Sequence, residues 1–277
     1  MKPVVFGIFM TVLVGAGLAW LWHSEQSVPP SGTPVVAKET SQPPQQEREV
    51  HPVIRELPAT AALPSSRTEA QPEPKDNVPE VVAAPTELDQ SDNQVDKAVK
   101  DLSATITQWI TPKEQLRKWV LLVDNIASGK VPVKNRPVNF SLTPFAVTGS
   151  EEAPVMAESN FARTEPLVNA FVGLDPELLA HYYGAWSPLL QDAFQELGQP
   201  GQFHDRLLAA IDRVLAVQPL EEEAIHLQQP AVYFRYADPQ QEAASDVEKL
   251  LWRMGSRNMI RLQSQLREIR LALQTAQ

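Results

Sequence analysis

Residues 175–198, DPELLAHYYGAWSPLLQDAFQELG, carry the clearest helical pattern in this chain of 277 residues. The stretch opens with a typical N-cap and a proline suited to the first helical position, and it closes with a typical glycine stop. Its apolar side chains recur at helical spacing and predict one buried face: Leu178, Leu179, Tyr182, Tyr183, Trp186, Leu189, Leu190, Phe194 and Leu197. Because Pro188 lies inside the pattern, we expect a kink there, or a restart capped by Ser187.

Amphipathic patterns before this stretch predict three more helices. Residues 94–108 form the first, and a second begins at Thr111 and stops near Gly129. We expect Thr111 to be the cap of the second helix, with Glu114 reaching back to it. The tight connection between the two predicts an αα-hairpin. A short helix over 165–172 follows.

Three further helices are predicted after the central stretch. One covers 203–217, and another opens with the capping box at residues 245–248 and ends at Gly255. The last runs from Ser256 to about Leu273.

Short extended segments complete the expected architecture. Residues 138–140 and 145–147 are strand candidates, and 225–236 alternates apolar and polar side chains, so it is expected to pair with one of them. The fold class is therefore mainly α, with about six or seven helices and a minor β element in residues 93–277.

Residues 23–92 differ in composition from the rest of the chain. Prolines recur among Ser, Thr, Gln, Glu, Val and Ala, and Trp, Tyr and Phe are absent. Such a segment cannot bury enough apolar surface to offset its chain entropy. We therefore expect a disordered, proline-rich linker.

A run without charged residues, Pro3 to Trp22, opens the chain. It is long enough to cross a bilayer core, so residues 1–22 are predicted to be a transmembrane anchor. Lys2 precedes the run, which favours a cytoplasmic N-terminus and an external domain. A cleavable export signal is the alternative, although the run continues through Trp20 to Trp22, beyond the usual length of a signal core.

Small residues form a stripe along this segment, namely Gly7, Thr11, Gly15 and Ala19. Spacing of this kind lets two helix backbones approach closely in lipid, which makes a homodimer a hypothesis. The common occurrence of Gly and Ala in membrane helices is the competing explanation.

Composition restricts the possible chemistry. The formal net charge of −10 argues against a nucleic-acid binder, and the lack of cysteine excludes disulfides and thiolate chemistry. The histidines have no metal-ligand spacing, and we find no catalytic motif, so no catalytic, cofactor-binding or metal residue is predicted. His204-Asp205-Arg206 could orient a general base, but a capped helix start explains it better.

Basic residues recur every four positions near the C-terminus, at Lys249, Arg253, Arg257 and Arg261. They are the best candidate for a partner-binding surface in an acidic chain, with a protein or an envelope polymer as the expected partner. A solvated helix face is the commoner explanation for such a pattern.

Five short motifs resemble those of the bacterial membrane-anchored family catalogued as domain of unknown function three thousand and fourteen. They are NFAR at 160–163, ELG at 196–198, FHDR at 203–206, ADP at 237–239 and LLWRMG at 250–255. The resemblance implies a Gram-negative envelope setting but brings no assigned activity and no catalytic residues.

These observations predict a non-enzymatic binding or scaffold module. It would be held on the bacterial inner membrane by a single span, with its helical domain in the periplasm contacting another envelope component. A cell-envelope enzyme of hydrolase type and a cleaved, exported soluble protein are the alternatives.

Overall fold

The computed structural model describes residues 80–220, 225–230 and 233–275. Within these ranges the chain is mainly helical, with two short antiparallel hairpins. The helices are α1 (Asp92–Leu102), α2 (Ala104–Thr107), α3 (Gln115–Ala127), α4 (Ser159–Val172), α5 (Pro176–Glu196), α6 (Phe203–Ala216), α7 (Pro239–Ala243), α8 (Asp246–Arg253) and α9 (Ser256–Thr275), and the strands are β1 (Val147–Ser150), β2 (Ala153–Met156), β3 (Leu227–Gln228) and β4 (Arg235–Tyr236).

Helix α5 lies at the centre of the domain, where it packs against α1, α3, α6 and α9. Asp175 caps it by accepting hydrogen bonds from two backbone N–H groups, as predicted. Most of the predicted face is buried, and Trp186 has no exposed surface. The helix continues through Pro188 without a restart, so that alternative is wrong.

The predicted helical hairpin is present in a modified form. Ser103 is extended and divides the expected first helix into α1 and α2. Helix α3 begins at Gln115 rather than near Thr111, because Lys113 and Glu114 adopt positive φ angles of 64° and 54°. Thr111 is not its cap; its hydroxyl donates a hydrogen bond to the Arg136 carbonyl.

The start of α3 is capped from another helix. The Asp92 carboxylate accepts hydrogen bonds of 2.9 Å from the backbone N–H groups of both Glu114 and Gln115. A side chain in the first turn of α1 therefore takes the role that the sequence pattern assigned to Thr111.

Residues 81–88, predicted to be part of the linker, pack against the helical core. The backbone N–H of Val82 donates to the Tyr182 hydroxyl (3.2 Å), and its carbonyl accepts a hydrogen bond from the Trp186 indole N–H (2.8 Å). The Tyr182 hydroxyl in turn donates to Asp101. This segment is attached to the middle of α5.

The β element is smaller than predicted. Strands β1 and β2 pair with each other, as do β3 and β4, and one isolated bridge between Val155 and His226 links the hairpins. The expected strand at 138–140 is reduced to a bridge between Ile110 and Val138. The second candidate is displaced, since its strand covers 147–150.

The last two helices agree with the sequence patterns, but α7 was not predicted, and the described residues form nine α-helices rather than six or seven. The capping box between Ser245 and Glu248 is formed, and Gly255 separates α8 from α9 with a φ of +82°. Helix α4 begins at Ser159, six residues before its predicted start, and carries Pro166 on its exposed side.

No helix in the described part of the chain is long and apolar enough to cross a bilayer. The predicted span Pro3 to Trp22, its stripe of small residues and most of the predicted linker lie outside the described residues.

Candidate functional site

A pocket of about 400 Å³ lies between α4, the turn from α8 to α9 and the segment around Leu220. Its volume is within the range of ligand-binding pockets. The residues that line it are Glu158, Phe161, Ala162, Glu165, Pro219, Leu220, Ile225, Trp252, Met254, Gly255, Ser256, Arg257, Asn258 and Met259.

One wall of the pocket is a single face of α4. Phe161, Ala162 and Glu165 lie on α4, and Glu158 precedes its first residue with helical backbone angles. The four residues are spaced at i, i+3, i+4 and i+7, which aligns them along one side. Two carboxylates therefore flank an apolar centre on this wall.

The opposite wall comes from α8 and the start of α9. The indole N–H of Trp252 donates to the Gln218 carbonyl (2.9 Å), and its ring meets Tyr236 edge-on at 5.9 Å between centroids. These contacts fix the orientation of Trp252. Met254 and Met259 also border the pocket and are 2% and 0% exposed.

Gly255 joins the two walls. A Cβ atom at this position would lie 2.7 Å from both Cγ and Cδ1 of Phe161, closer than real side chains approach. The positive φ of Gly255 also disfavours any other residue. Glycine is therefore required at this position both for the turn and for the approach of α4.

Asn258 holds the same junction together through its amide nitrogen. Nδ2 lies 2.9 Å from the Phe161 carbonyl oxygen, 3.1 Å from Thr164 Oγ1 and 3.1 Å from the Met254 carbonyl oxygen. The side chain is 2% exposed, and its Oδ1 accepts no hydrogen bond from any described residue. Asn258 is thus a rigid part of the pocket wall with one unsatisfied acceptor.

The pocket forms where two hydrophobic clusters meet. The main core occupies the helices, whereas a smaller cluster is built on Met156, Ile225, Leu227 and Tyr236 around the hairpins. Phe161, Leu220 and Trp252 belong to the edge of the smaller cluster. The pocket therefore lies along the boundary between the two clusters.

The predicted basic surface is not continuous in the structure. Lys249 and Arg253 are 7% and 8% exposed, so their assignment to a partner-binding surface is wrong. Arg257 is exposed and lines the pocket, whereas Arg261 is half-buried and donates a hydrogen bond to Asn169 Oδ1 (2.7 Å). The break at Gly255 rotates the two halves of the pattern apart.

The two buried cations stabilise the hairpin region. Lys249 Nζ donates to the Glu242 carbonyl (3.0 Å) and forms an ion pair with its carboxylate (3.9 Å). The Arg253 guanidinium lies over the Tyr236 ring, 5.4 Å from its centroid, and the Tyr236 hydroxyl donates to the Lys249 carbonyl. Both side chains therefore attach α8 to β4 and α7.

Beside the pocket, Asn160 ties α4 to the strand region. Its Oδ1 accepts from the backbone N–H of Ala146, and its Nδ2 donates to the Ala146 carbonyl. Arg163 Nη1 also donates to Asn160 Oδ1, and its guanidinium lies 5.6 Å from the centroid of the Phe145 ring. The NFAR motif therefore contributes Phe161 and Ala162 to the pocket, while Asn160 and Arg163 support the wall behind it.

The His204 cluster is a packing feature. The ring Nδ1 lies 2.6 Å from the Tyr183 hydroxyl, and burial lowers the pKa of His204. Burial likewise raises the pKa of Tyr183 above its ordinary range. Arg206 pairs with Asp124 at 2.6 Å and so joins α6 to α3.

Across the described ranges, no group of three or more His, Cys, Asp or Glu could hold a metal ion.

The pocket could not be predicted from the sequence patterns. Its residues come from segments far apart along the chain, and none carries a catalytic motif. Two of the motifs nevertheless pointed to it. Phe161 of NFAR and Gly255 of LLWRMG contact each other beside the pocket.

A family model described as "Protein of unknown function (DUF3014)" matches residues 115–270, more than half of the chain. The chain therefore belongs to this family, as the motifs indicated, and the whole pocket lies within the matched range. No curated protein and no solved structure matches the chain.

Proposed function

We propose that the chain is a membrane-tethered binding module whose helical domain captures another protein of the bacterial envelope through the pocket at the start of α9. The observation that carries this proposal is the pocket itself. It has an apolar interior, a rigid frame and charged residues at its edge, which is the usual composition of a recognition site.

The frame of the pocket supports a binding role. Gly255 and Asn258 fix α9 against α4, and Trp252 is held by its indole hydrogen bond. A preorganised site loses little conformational entropy when a partner binds, which favours affinity.

The tether is supported by the sequence. A span over Pro3 to Trp22 with Lys2 before it would hold the domain on the outer face of the inner membrane, and the proline-rich segment behind it would let the domain reach its partner. We expect the full chain to stay in the membrane pellet after alkaline washing, and external protease to cut the domain in spheroplasts. A soluble product whose intact mass lacks residues 1–22 would contradict the anchor.

The pocket is tested by site-specific photocrosslinking of the full chain in cells. A photoreactive residue at Glu165, on the edge of the pocket, is expected to form an adduct with a distinct envelope protein. The same residue at Asp192, exposed on α5 and outside the lining set, is the position control.

A pair of matched variants decides whether the adduct depends on the pocket. Ala162 is exposed and lines the pocket, so Ala162→Trp fills it without altering the core. Ala209 is also exposed, on α6, so Ala209→Trp adds the same bulk elsewhere. We expect Ala162→Trp to abolish the adduct and Ala209→Trp to keep it. Equal adducts in both variants, or adducts only between copies of this chain, would overturn the proposal.

A further inference from the structure

We infer that the pocket recognises a basic–hydrophobic peptide segment, in which an apolar side chain enters the cleft and a neighbouring lysine or arginine faces Glu158 and Glu165. This inference rests on the proposed function and specifies the chemistry of the partner.

The interior of the pocket favours binding of an apolar side chain. Phe161, Trp252 and Leu220 are partly exposed and provide apolar surface, and about 400 Å³ is room for an aromatic or branched aliphatic group. Transfer of such a group from water gives the main favourable term in binding.

The charges around the pocket favour a positively charged ligand. Glu158, just before α4, and Glu165, on α4, are seven residues apart, so they stand on the same wall at either end of its apolar centre. Among the described residues that line the pocket, Arg257 is the one cation. The two carboxylates outweigh it, and an acidic segment would meet net repulsion along the α4 wall.

The test measures binding of short fluorescent peptides to the purified full chain in detergent micelles. Three peptides share a Phe-Leu centre, flanked on both sides by lysine, by glutamine or by glutamate. We expect the lysine peptide to bind about tenfold more tightly than the glutamine peptide, which corresponds to two exposed charge pairs. The glutamate peptide is expected to bind most weakly.

Two variants assign the preference to the pocket. The double variant Glu158→Gln with Glu165→Gln should reduce the preference for lysine to about twofold or less while keeping the affinity for the glutamine peptide. Ala162→Trp should abolish binding of all three peptides, and Ala209→Trp should change none. Retention of the lysine preference in the double variant would overturn the inference.

The outcomes separate the two proposals. If the pocket-dependent adduct forms in cells but the three peptides bind equally or not at all, the peptide chemistry is wrong and the binding module stands. If the adduct does not depend on the pocket and no peptide binds, both proposals fail.

Discussion

Phe161 and Gly255 are in direct contact, and the ring occupies the space that any side chain at position 255 would need. The two residues are far apart in sequence, yet their contact sets the distance between α4 and α9. The width of the pocket depends on this distance, since both residues line it.

Replacing Gly255 should therefore destabilise the domain more than replacing a glycine that has only an unusual backbone angle. Gly198 has a comparable φ of +71°, but no atom lies within 4 Å of the position that a Cβ would take there, so Gly198→Ala should cost about 1–2 kcal/mol. Gly255→Ala should cost about a further 1–3 kcal/mol from overlap with Phe161. Urea unfolding of both variants measures the difference, and equal losses would show that the contact carries no strain.

The cap that Asp92 provides for α3 should also be measurable. Asp92→Ala removes the acceptor of two backbone N–H groups and should lower the free energy of unfolding by about 1–2 kcal/mol. Asp96, one turn further along α1, is the matched control. Burial and the nearby Asp92 carboxylate raise the pKa of Asp96, so Asp96→Ala should be neutral or slightly stabilising. A similar loss in both variants would contradict the capping role.

The attachment of residues 81–88 to α5 predicts a local effect in hydrogen exchange. Tyr182→Phe removes the acceptor of the Val82 N–H, so exchange at Val82 should accelerate and the domain should lose about 1–2 kcal/mol. Tyr236→Phe removes a comparable buried hydroxyl, whose bond to the Lys249 carbonyl lies in the hairpin region. It should cost a similar amount without changing exchange at Val82. Unchanged exchange at Val82 in Tyr182→Phe would exclude the hydrogen bond between Val82 and Tyr182.

Stability should fall on mild acidification because of His204. Burial lowers its pKa in the folded state below the ordinary value of 6.5, so the unfolded chain takes up a proton first as the pH falls. The free energy of unfolding is therefore unaffected by His204 above pH 6.5. It decreases as the pH falls from 6.5 to the pKa of His204 in the folded state. The drop in melting temperature from pH 7.5 to pH 5 should therefore be smaller in His204→Gln than in the original chain. The same pH dependence in His204→Gln as in the original chain would contradict the role of His204.

Several helix ends could be predicted from the sequence because they depend only on nearby residues. The cap at Asp175, the capping box at Ser245 and the stop at Gly255 each depend on residues within one helical turn, and all three are present. The buried face of α5 also depends only on the spacing of its own apolar residues.

Other features depend on residues that are distant in sequence. The Asp92 carboxylate replaces a local cap of α3 because folding brings α1 against its first turn, 22 residues away. The pattern of Lys249 and Arg253 suggested a surface, but α8 turns these cations towards Glu242 and Tyr236. Sequence spacing gives the relative directions of side chains on a helix but not what that helix packs against.

The sequence by itself thus determined the helical class of this domain, most helix boundaries and the family to which the chain belongs. The tertiary structure decided where α4 meets α9, which basic residues are buried and that an apolar pocket with an acidic wall exists. Helix formation is governed by hydrogen bonds and side chains a few residues apart, whereas the pocket is the space left between elements that the chain brings together only when it folds.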